Sequence, residues 1–238
     1  MEYFEMIHPS WQPFFTPWRE RLSEILAAAG QAPYNPPERL IFRFAQGELS
    51  RVRVVVLGQD PYPQPGAATG RSFEVAGLSS WQGTIRQSSL RNLVRAICRA
   101  VTGELLPWRE VQARIADGRF PILPPDRLWD ALEAQGVLFL NAYLTCRQGA
   151  PLSHKKLWAP FARELVAYLD ELRGAGAVWF LWGADARGYG AYITRGTRYE
   201  SRHPMMADSG SDGFLQNPCF AETLDRIDWT GAKFVRKI

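Results

Sequence analysis

A carboxylate, an amide and an imidazole each follow an apolar run in this sequence. Asp60 comes after the run at residues 52–57, Asn141 after the run at 137–140, and His203 after the weaker run at 197–201. A carboxylate can stabilise a cation or position water, an imidazole can donate a proton, and an amide can donate and accept at once. If the three side chains meet, they suit cleavage of a polar bond in a ligand that is recognised by hydrogen bonds.

The segment around Asp60 carries the strongest local signal. It reads Gly58-Gln59-Asp60-Pro61-Tyr62-Pro63 directly after the apolar run. Gly58 permits a tight exit from a strand, and Pro61 stiffens the turn, so that neighbouring amide protons can point at a ligand. On local grounds alone, a polar turn after a strand is the alternative interpretation.

The elements that must position these residues alternate between two patterns. Apolar runs at 52–57, 137–140, 177–182 and 197–201 predict strands, while helical spacing at 90–101, after a Ser88-Ser89 cap, and at 161–172 predicts helices between them. This alternation predicts an α/β fold, with a four-stranded parallel twisted sheet covered by helices on both faces. In such a sheet the clusters that follow the strands lie at one edge, in one crevice.

Composition sets the wider expectations. A chain of 238 residues with 46% hydrophobic content predicts one domain over 1–238, with residues 1–45 as an N-terminal helical part packed on the core. There is no run of eighteen apolar residues and no secretory signal, so we expect a cytoplasmic protein. Cys98, Cys146 and Cys219 have no metal-binding spacing and are interpreted as reduced thiols, and no metal or cofactor is expected. The net charge of +4, rich in Arg, makes nucleic acid a candidate partner.

Five segments occur in an order and spacing that match a known family. They are Gly58-Gln59-Asp60-Pro61-Tyr62, Gly70-Arg71-Ser72-Phe73-Glu74-Val75, Leu138-Phe139-Leu140-Asn141-Ala142-Tyr143-Leu144-Thr145, Phe180-Leu181-Trp182-Gly183 and His203-Pro204. Together they resemble the uracil-DNA glycosylases of the family 1 type, and the resemblance runs from about residue 34 through 229. It implies an enzyme that rotates uracil out of DNA and hydrolyses its N-glycosidic bond.

The resemblance implies a role for each matching residue. Asp60 would stabilise the sugar cation and position water, and a neutral His203 would donate to uracil O2 together with backbone amides near Gln59. In the uracil pocket, Phe73 would stack on the base and Asn141 would read its pairing edge. Tyr62 completes the pocket and would exclude the methyl group of thymine by steric clash.

Contacts with DNA are expected from loop hydroxyls and from the segment after His203. Ser89 and Ser153 are the candidates for phosphate, with a plain helix cap as the alternative role of Ser89. The candidates in the segment after His203 are Pro204, Met205, Met206 and Ala207. His154 is expected in a loop, with a part in phosphate binding or loop structure.

The sequence departs from the family pattern at three places, one of which is the stretch at 81–87 that replaces the family's proline-rich loop. Pro63 stands where the family has His, and the family's His-Pro-Ser-Pro-Leu reads His203-Pro204-Met205-Met206-Ala207 here. A phosphate-binding serine and the leucine wedge are therefore replaced, although Met205 or Met206 could supply an apolar wedge. A proteinaceous DNA-mimic inhibitor that grips the leucine loop is expected to bind poorly, and the protein is expected to be a monomer.

Two alternatives remain open at this point. Pro63 and the changed loops would also suit a glycosylase for a 5-modified uracil, although Tyr62 argues against it. The missing wedge would suit a non-catalytic DNA-damage-binding module, although Asp60, Asn141 and His203 argue against that.

Overall fold

A four-stranded parallel sheet organises the computed structural model, which describes residues 4–206 and 212–235. The strands are β1 (Tyr34–Asn35), β2 (Val54–Gly58), β3 (Val137–Asn141), β4 (Cys146–Arg147), β5 (Val178–Trp182) and β6 (Thr197–Ser201). The order in the sheet is β3-β2-β5-β6, and all three pairings are parallel. The predicted α/β fold is confirmed, and each strand lies within two residues of its expected position.

The strands β1 and β4 were not anticipated. They form a separate two-stranded antiparallel ribbon, in which Tyr34 pairs with Arg147 and Asn35 with Cys146. Each strand has two residues, which is too short for an apolar pattern to develop. The ribbon lies beside the Gly58–Pro63 segment, because the Asn35 side chain donates hydrogen bonds to the Tyr62 and Gln64 carbonyls.

The helices divide between the two faces of the sheet. They are α1 (Gln12–Phe15), α2 (Arg19–Ala29), α3 (Ser88–Thr102), α4 (Trp108–Ala116), α5 (Pro125–Ala134), α6 (Lys155–Arg173), α7 (Ala184–Gly188) and α8 (Ala232–Val235). Side chains alternate along a strand, so Val55 and Leu57 of β2 pack with α1, α2 and α6, whereas Val54 and Val56 pack with α3, α4 and α5. This alternation explains why β2, β3 and β5 are buried along their whole length.

Helix α3 does not begin as predicted. Its N-cap is Gln87, with extended backbone and no side-chain cap, while Ser88 and Ser89 are the first residues of the helix. The Ser88-Ser89 cap was therefore wrong, and the Ser89 hydroxyl makes a different contact, with Tyr62. Within the described ranges, no helix is both long enough and apolar enough to cross a membrane.

Candidate active site

The ends of the four parallel strands meet around one cavity of about 410 Å³. The residues predicted from sequence that line it are Gln59, Asp60, Tyr62, Phe73, Ser89, Asn141, His203 and Met205. Ser153, Pro204 and Met206 do not line it, and Ala207 lies outside the described residues. The expected crevice at the carboxyl edge of the sheet is present, and it holds the carboxylate, the amide and the imidazole together.

Asp60 is half-buried and has a hydrogen bond at each carboxylate oxygen. Gln59 Nε2 donates to Oδ1 at 3.0 Å, and the Leu152 backbone N–H donates to Oδ2 at 2.6 Å. Burial raises the pKa of Asp60 and Asp185 adds to that rise, while the two donors oppose it. Because the donors favour the charged form, they hold an ionised carboxylate at the cavity in a defined orientation.

Two residues beside the cavity have backbone strain. Phe73 (φ 64°) and Leu152 (φ 63°) are the non-glycine residues with positive φ in the part of the chain that the structure describes. Bulky side chains rarely adopt this conformation, and such strain concentrates at functional sites. Phe73 lines the cavity, and the Leu152 N–H donates to Asp60. Both strained backbone conformations therefore belong to the same site.

Asn141 presents an amide that the protein does not use. The residue is only 3% exposed, and its side chain makes no hydrogen bond to any described residue. A buried polar group without a partner is costly, so an amide left free at a cavity wall is available to a ligand. Gly58 makes room for it, because a Cβ at that position would lie 2.5 Å from Asn141 Oδ1.

Tyr62 is held from both ends. Its hydroxyl lies 3.3 Å from Ser89 Oγ, and its carbonyl accepts a hydrogen bond from Asn35 Nδ2 at 3.0 Å. Burial raises the pKa of Tyr62 to about 12, so the phenol stays neutral. The residue forms part of the cavity wall.

Phe73 lies between two other rings. Its ring centroid is 5.5 Å from that of Trp182, at 63°, and 6.2 Å from that of His203, at 32°. These neighbours limit the movement of the ring, so that a flat surface is available for a planar ligand.

The hydrogen bonding of His203 defines its protonation. The Met205 backbone N–H donates to Nδ1 at 3.1 Å, and an amide nitrogen can only donate, so Nδ1 is unprotonated. The neutral ring therefore carries its proton on Nε2. Burial lowers the pKa of His203, which favours the same neutral state. Gly183 (φ 94°) lies against this ring, since a Cβ there would be 3.2 Å from His203 Cβ.

Backbone donors complete the site. The N–H groups of Gln59 and Asp60 donate to no acceptor in the described ranges, whereas the Gln59 carbonyl accepts from Tyr143 N–H at 2.9 Å. The turn is thus anchored through its carbonyl, with its amide protons left available. These donors can stabilise negative charge that develops on a bound ligand.

The residues expected to contact DNA differ in their exposure and in their hydrogen bonds. The Ser153 hydroxyl accepts from the Arg147 N–H at 2.7 Å and closes a turn outside the cavity. Met205 and Met206 are 65% and 53% exposed. Pro204 is buried, and its carbonyl accepts from Asn92 Nδ2 at 2.8 Å, so it supports the segment rather than its outer surface.

His154 lies in the turn that precedes α6, in agreement with the loop position expected from sequence. It is the N-cap residue of α6, it is 5% exposed, and its Nδ1 lies 2.9 Å from Thr145 Oγ1. The same oxygen accepts from Trp158 Nε1 at 2.7 Å. His154 is therefore part of a buried hydrogen-bonded group that supports the segment after Asn141.

Sequence reasoning missed several residues that support the site. Asn92 Nδ2 donates to the Pro204 carbonyl at 2.8 Å and holds the segment after His203 against α3. Asp185 lines the cavity, accepts from the Tyr143 hydroxyl at 2.9 Å and pairs with Lys155. The Gly183-Ala184-Asp185 cluster after β5 was a signal for Asp185, whereas nothing in the local sequence indicated Asn92.

The arrangement has a clear chemical capability. An unused amide and a ring surface can recognise a planar, polar base, and free N–H groups can stabilise an anion that leaves. The ionised carboxylate of Asp60 can stabilise the cationic fragment that remains after the bond breaks. The cavity therefore suits a heterolytic bond cleavage that separates an anionic planar group from a cationic remainder.

Comparison with known proteins gives a consistent result, although no protein-family model matches the chain. A uracil-DNA glycosylase of Pectobacterium carotovorum is 32% identical over 230 residues, covering 92% of this chain and 90% of that protein. One from Salmonella arizonae is 33% identical over 202 residues, covering 83% and 78%. The wild-type UNG crystal structure from Nitratifractor salsuginis has a TM-score of 0.73 at 25% identity, covering 96% of this chain and 95% of that one.

Proposed function

This chain belongs to the uracil-DNA glycosylase family, and we propose that it removes uracil from DNA by hydrolysing the N-glycosidic bond. The product is an abasic site, the substrate of the next step of base excision repair. The observation that carries this proposal is the buried Asn141 amide, which has no hydrogen-bond partner among the described residues, in one cavity with Asp60 and His203.

Asn141 reads the base in this proposal. One amide accepts from uracil N3–H and donates to uracil O4, whereas cytosine presents the opposite polarity at both atoms. Phe73 stacks on the base after it has been rotated out of the duplex. A uracil is thus selected by hydrogen bonds that the protein itself leaves unmade.

Asp60 and His203 act on the two halves of the breaking bond. As the bond lengthens, positive charge grows on the sugar, where the Asp60 carboxylate stabilises it and positions the attacking water. Negative charge grows on uracil O2, where His203 Nε2–H and the backbone N–H groups of Gln59 and Asp60 donate. Preorganised donors of this kind contribute roughly 3 kcal/mol each to the transition state.

The direct test is excision from a defined oligonucleotide. Single-stranded and duplex DNA with one uracil are incubated with the protein in EDTA, and free uracil and abasic sites are both quantified. We expect equal amounts of the two products. The Asp60→Asn variant, purified in parallel, controls for contaminating enzyme, and the absence of free uracil at high protein concentration refutes the proposal.

Tyr62 decides between uracil and 5-modified uracils. Its hydroxyl contacts Ser89 and its backbone carbonyl accepts from Asn35, and both contacts favour a ring position beside the C5 atom of a bound uracil. We expect excision of uracil but not of thymine or 5-hydroxymethyluracil, and we expect Tyr62→Ala to admit both. Refusal of thymine by Tyr62→Ala would mean that another group fills the space beside C5.

A non-catalytic damage-binding module is the competing function from a different class. Single-turnover assays on single-stranded DNA separate the two, because an unpaired uracil needs little energy to enter the cavity. Rapid excision there, with slow excision in duplex DNA, indicates intact chemistry with a weak duplex grip. Binding without any excision on either substrate indicates the damage-binding module.

The finer classification rests on the same residues. We propose the family 1 type from Gly58–Tyr62 and His203-Pro204, with Met205 or Met206 as the apolar wedge and Ser89 and Ser153 as phosphate contacts. A monomer in the cytoplasm that binds the DNA-mimic inhibitor poorly remains the prediction. Sedimentation and inhibitor titration measure the first and last of these properties.

A further inference from the structure

A second large depression lies at the opposite edge of the sheet from the candidate active site. It has a volume of about 760 Å³, and its cationic lining residues are Arg51, Arg53, Arg173, Arg226 and Lys233. Arg53 directly precedes β2, and Arg173 is the last residue of α6, close before β5. We call this depression the amino-edge cleft. Five residues of β2, at about 3.3 Å each, separate it from the cavity at Gly58.

The charges of the cleft are unbalanced. Five cationic side chains line it with two carboxylates, Asp225 and Asp228. Asp228 already accepts from the N–H groups of Thr230 and Lys233. Among the described residues, none of the five cations has a salt bridge, so the cleft presents uncompensated positive charge to an open surface.

Three of the arginines are held in place by a single backbone carbonyl each. Arg51 Nη2 donates to Ala134 O at 3.0 Å, Arg173 Nε to Val52 O at 3.0 Å, and Arg226 Nη1 to Gly176 O at 3.4 Å. A guanidinium has five N–H donors, so one such bond orients the group and leaves the others for a ligand.

Arg53 is anchored through its backbone. Its N–H donates to Gly136 O at 2.8 Å, and its carbonyl accepts from Val178 N–H at 3.0 Å, so both neighbouring strands hold it. Its side chain crosses Gly136, where a Cβ would lie 3.0 Å from Arg53 Cγ. The side chain is exposed and makes no hydrogen bond to any described residue.

We propose that the amino-edge cleft binds the phosphate backbone of a second DNA segment while the first segment occupies the active-site edge. Arginine forks suit phosphate oxygens, and an open cleft with exposed cations suits a continuous backbone. The inference rests on the proposed action on DNA. Its consequence is that one protein molecule bridges two DNA segments and can pass between them without full release.

The test uses two uracil-free duplexes, one labelled with a fluorescence donor and one with an acceptor. We expect the wild-type protein to bring them together at low salt, with energy transfer proportional to protein concentration. The charge reversal Arg53→Glu with Arg226→Glu is expected to reduce bridging at least tenfold. The salt slope of duplex binding should fall by about 0.9 for each phosphate that the variant no longer binds.

Matched variants make the result specific. Arg109→Glu with Arg127→Glu makes the same charge change at exposed positions outside the cleft and should retain bridging. Arg53→Lys with Arg226→Lys keeps the charge and should retain most of it. Excision from a short single-stranded oligonucleotide should be unchanged in all three, which separates this inference from the proposed glycosylase activity.

Three outcomes overturn the inference. They are no bridging by the wild-type protein, equal loss of bridging in the cleft and control reversals, and bridging that rises with the square of protein concentration, which would indicate a protein dimer. Loss of excision in the wild-type protein would refute the proposed function instead.

Discussion

The cavity that receives the base and the rim that meets the duplex are built in different ways. Asn141 and Phe73 are 3% and 8% exposed and are positioned by a strand end and by neighbouring rings. The rim is formed by Met205, which lines the mouth of the cavity, and by Met206, and these residues are 65% and 53% exposed. Reading the base and holding the duplex are therefore separable tasks in this fold, because the first depends on buried supports and the second on exposed side chains.

Variants of the cavity and of the rim can be compared on single-stranded and duplex substrates. If the two tasks are separable, variants in the cavity should affect single-stranded and duplex substrates alike, whereas variants on the rim should affect only the duplex. Equal effects of cavity and rim variants on both substrates would show that the regions act as one.

The largest effect is expected for Asp60→Asn. The amide keeps the shape of the carboxylate but removes the charge that stabilises the sugar cation, so single-turnover excision should fall roughly 10³-fold on both substrates. Asp185→Asn is the matched control, since it changes a second carboxylate of the same cavity that pairs with Lys155. A comparable loss for Asp185→Asn would move the catalytic role away from Asp60.

The next effect is expected for Asn141→Asp. A carboxylate cannot donate to uracil O4, and an unmade buried hydrogen bond costs about 1–3 kcal/mol, so uracil excision should fall about 10–100-fold. The preference for uracil over cytosine should narrow at the same time, as measured with matched oligonucleotides. Asn141→Ala should lose uracil excision without gaining cytosine excision, and unchanged selectivity in both variants would exclude Asn141 as the base reader.

The pH dependence should show an acid limb in single-turnover excision. Activity requires ionised Asp60, whose pKa is raised, and neutral His203, whose pKa is lowered, so both groups lose their active form as pH falls. The part of the limb that belongs to His203 should lie below the ordinary imidazole pKa of about 6.5. In His203→Gln, which donates but does not titrate, the remaining limb should be that of Asp60. A midpoint above 6.5 that is present in the wild-type protein and absent from His203→Gln would contradict a lowered pKa of His203.

The smallest effect is expected on the rim. Replacing both Met205 and Met206 by Ala should slow duplex excision several-fold and leave single-stranded excision unchanged, because only the duplex must be unstacked, at a few kcal/mol. Met6→Ala is the control, since Met6 is 48% exposed and does not line the cavity. Equal slowing on both substrates would mean that the methionines support the cavity rather than the duplex grip.

The sequence predicted the parts of the molecule that have a local pattern. Buried strands are continuous apolar runs, and parallel pairing brings their ends to one edge, so the convergence of Asp60, Asn141 and His203 followed from the runs alone. Contacts between short segments far apart in sequence leave no such pattern. The donor from Leu152 to Asp60 and that from Asn92 to Pro204 belong to this class.

Ser89 shows how a correct residue can have an incorrect local role. Its position before an apolar helix predicted a cap, but its hydroxyl meets Tyr62, which is 27 residues away. A tertiary partner prevailed over a local preference, and only the folded chain reveals that partner.

The hydrogen bond from Met205 N–H to His203 Nδ1 bears on how this protein can change over time. The atom that sets the ring's tautomer belongs to the main chain, so almost any side chain at position 205 preserves it, and only proline removes it. Selection can therefore alter the outer surface of this segment without disturbing bond cleavage. A methionine at position 205 is therefore compatible with the same tautomer of His203 that a smaller polar residue at this position would allow.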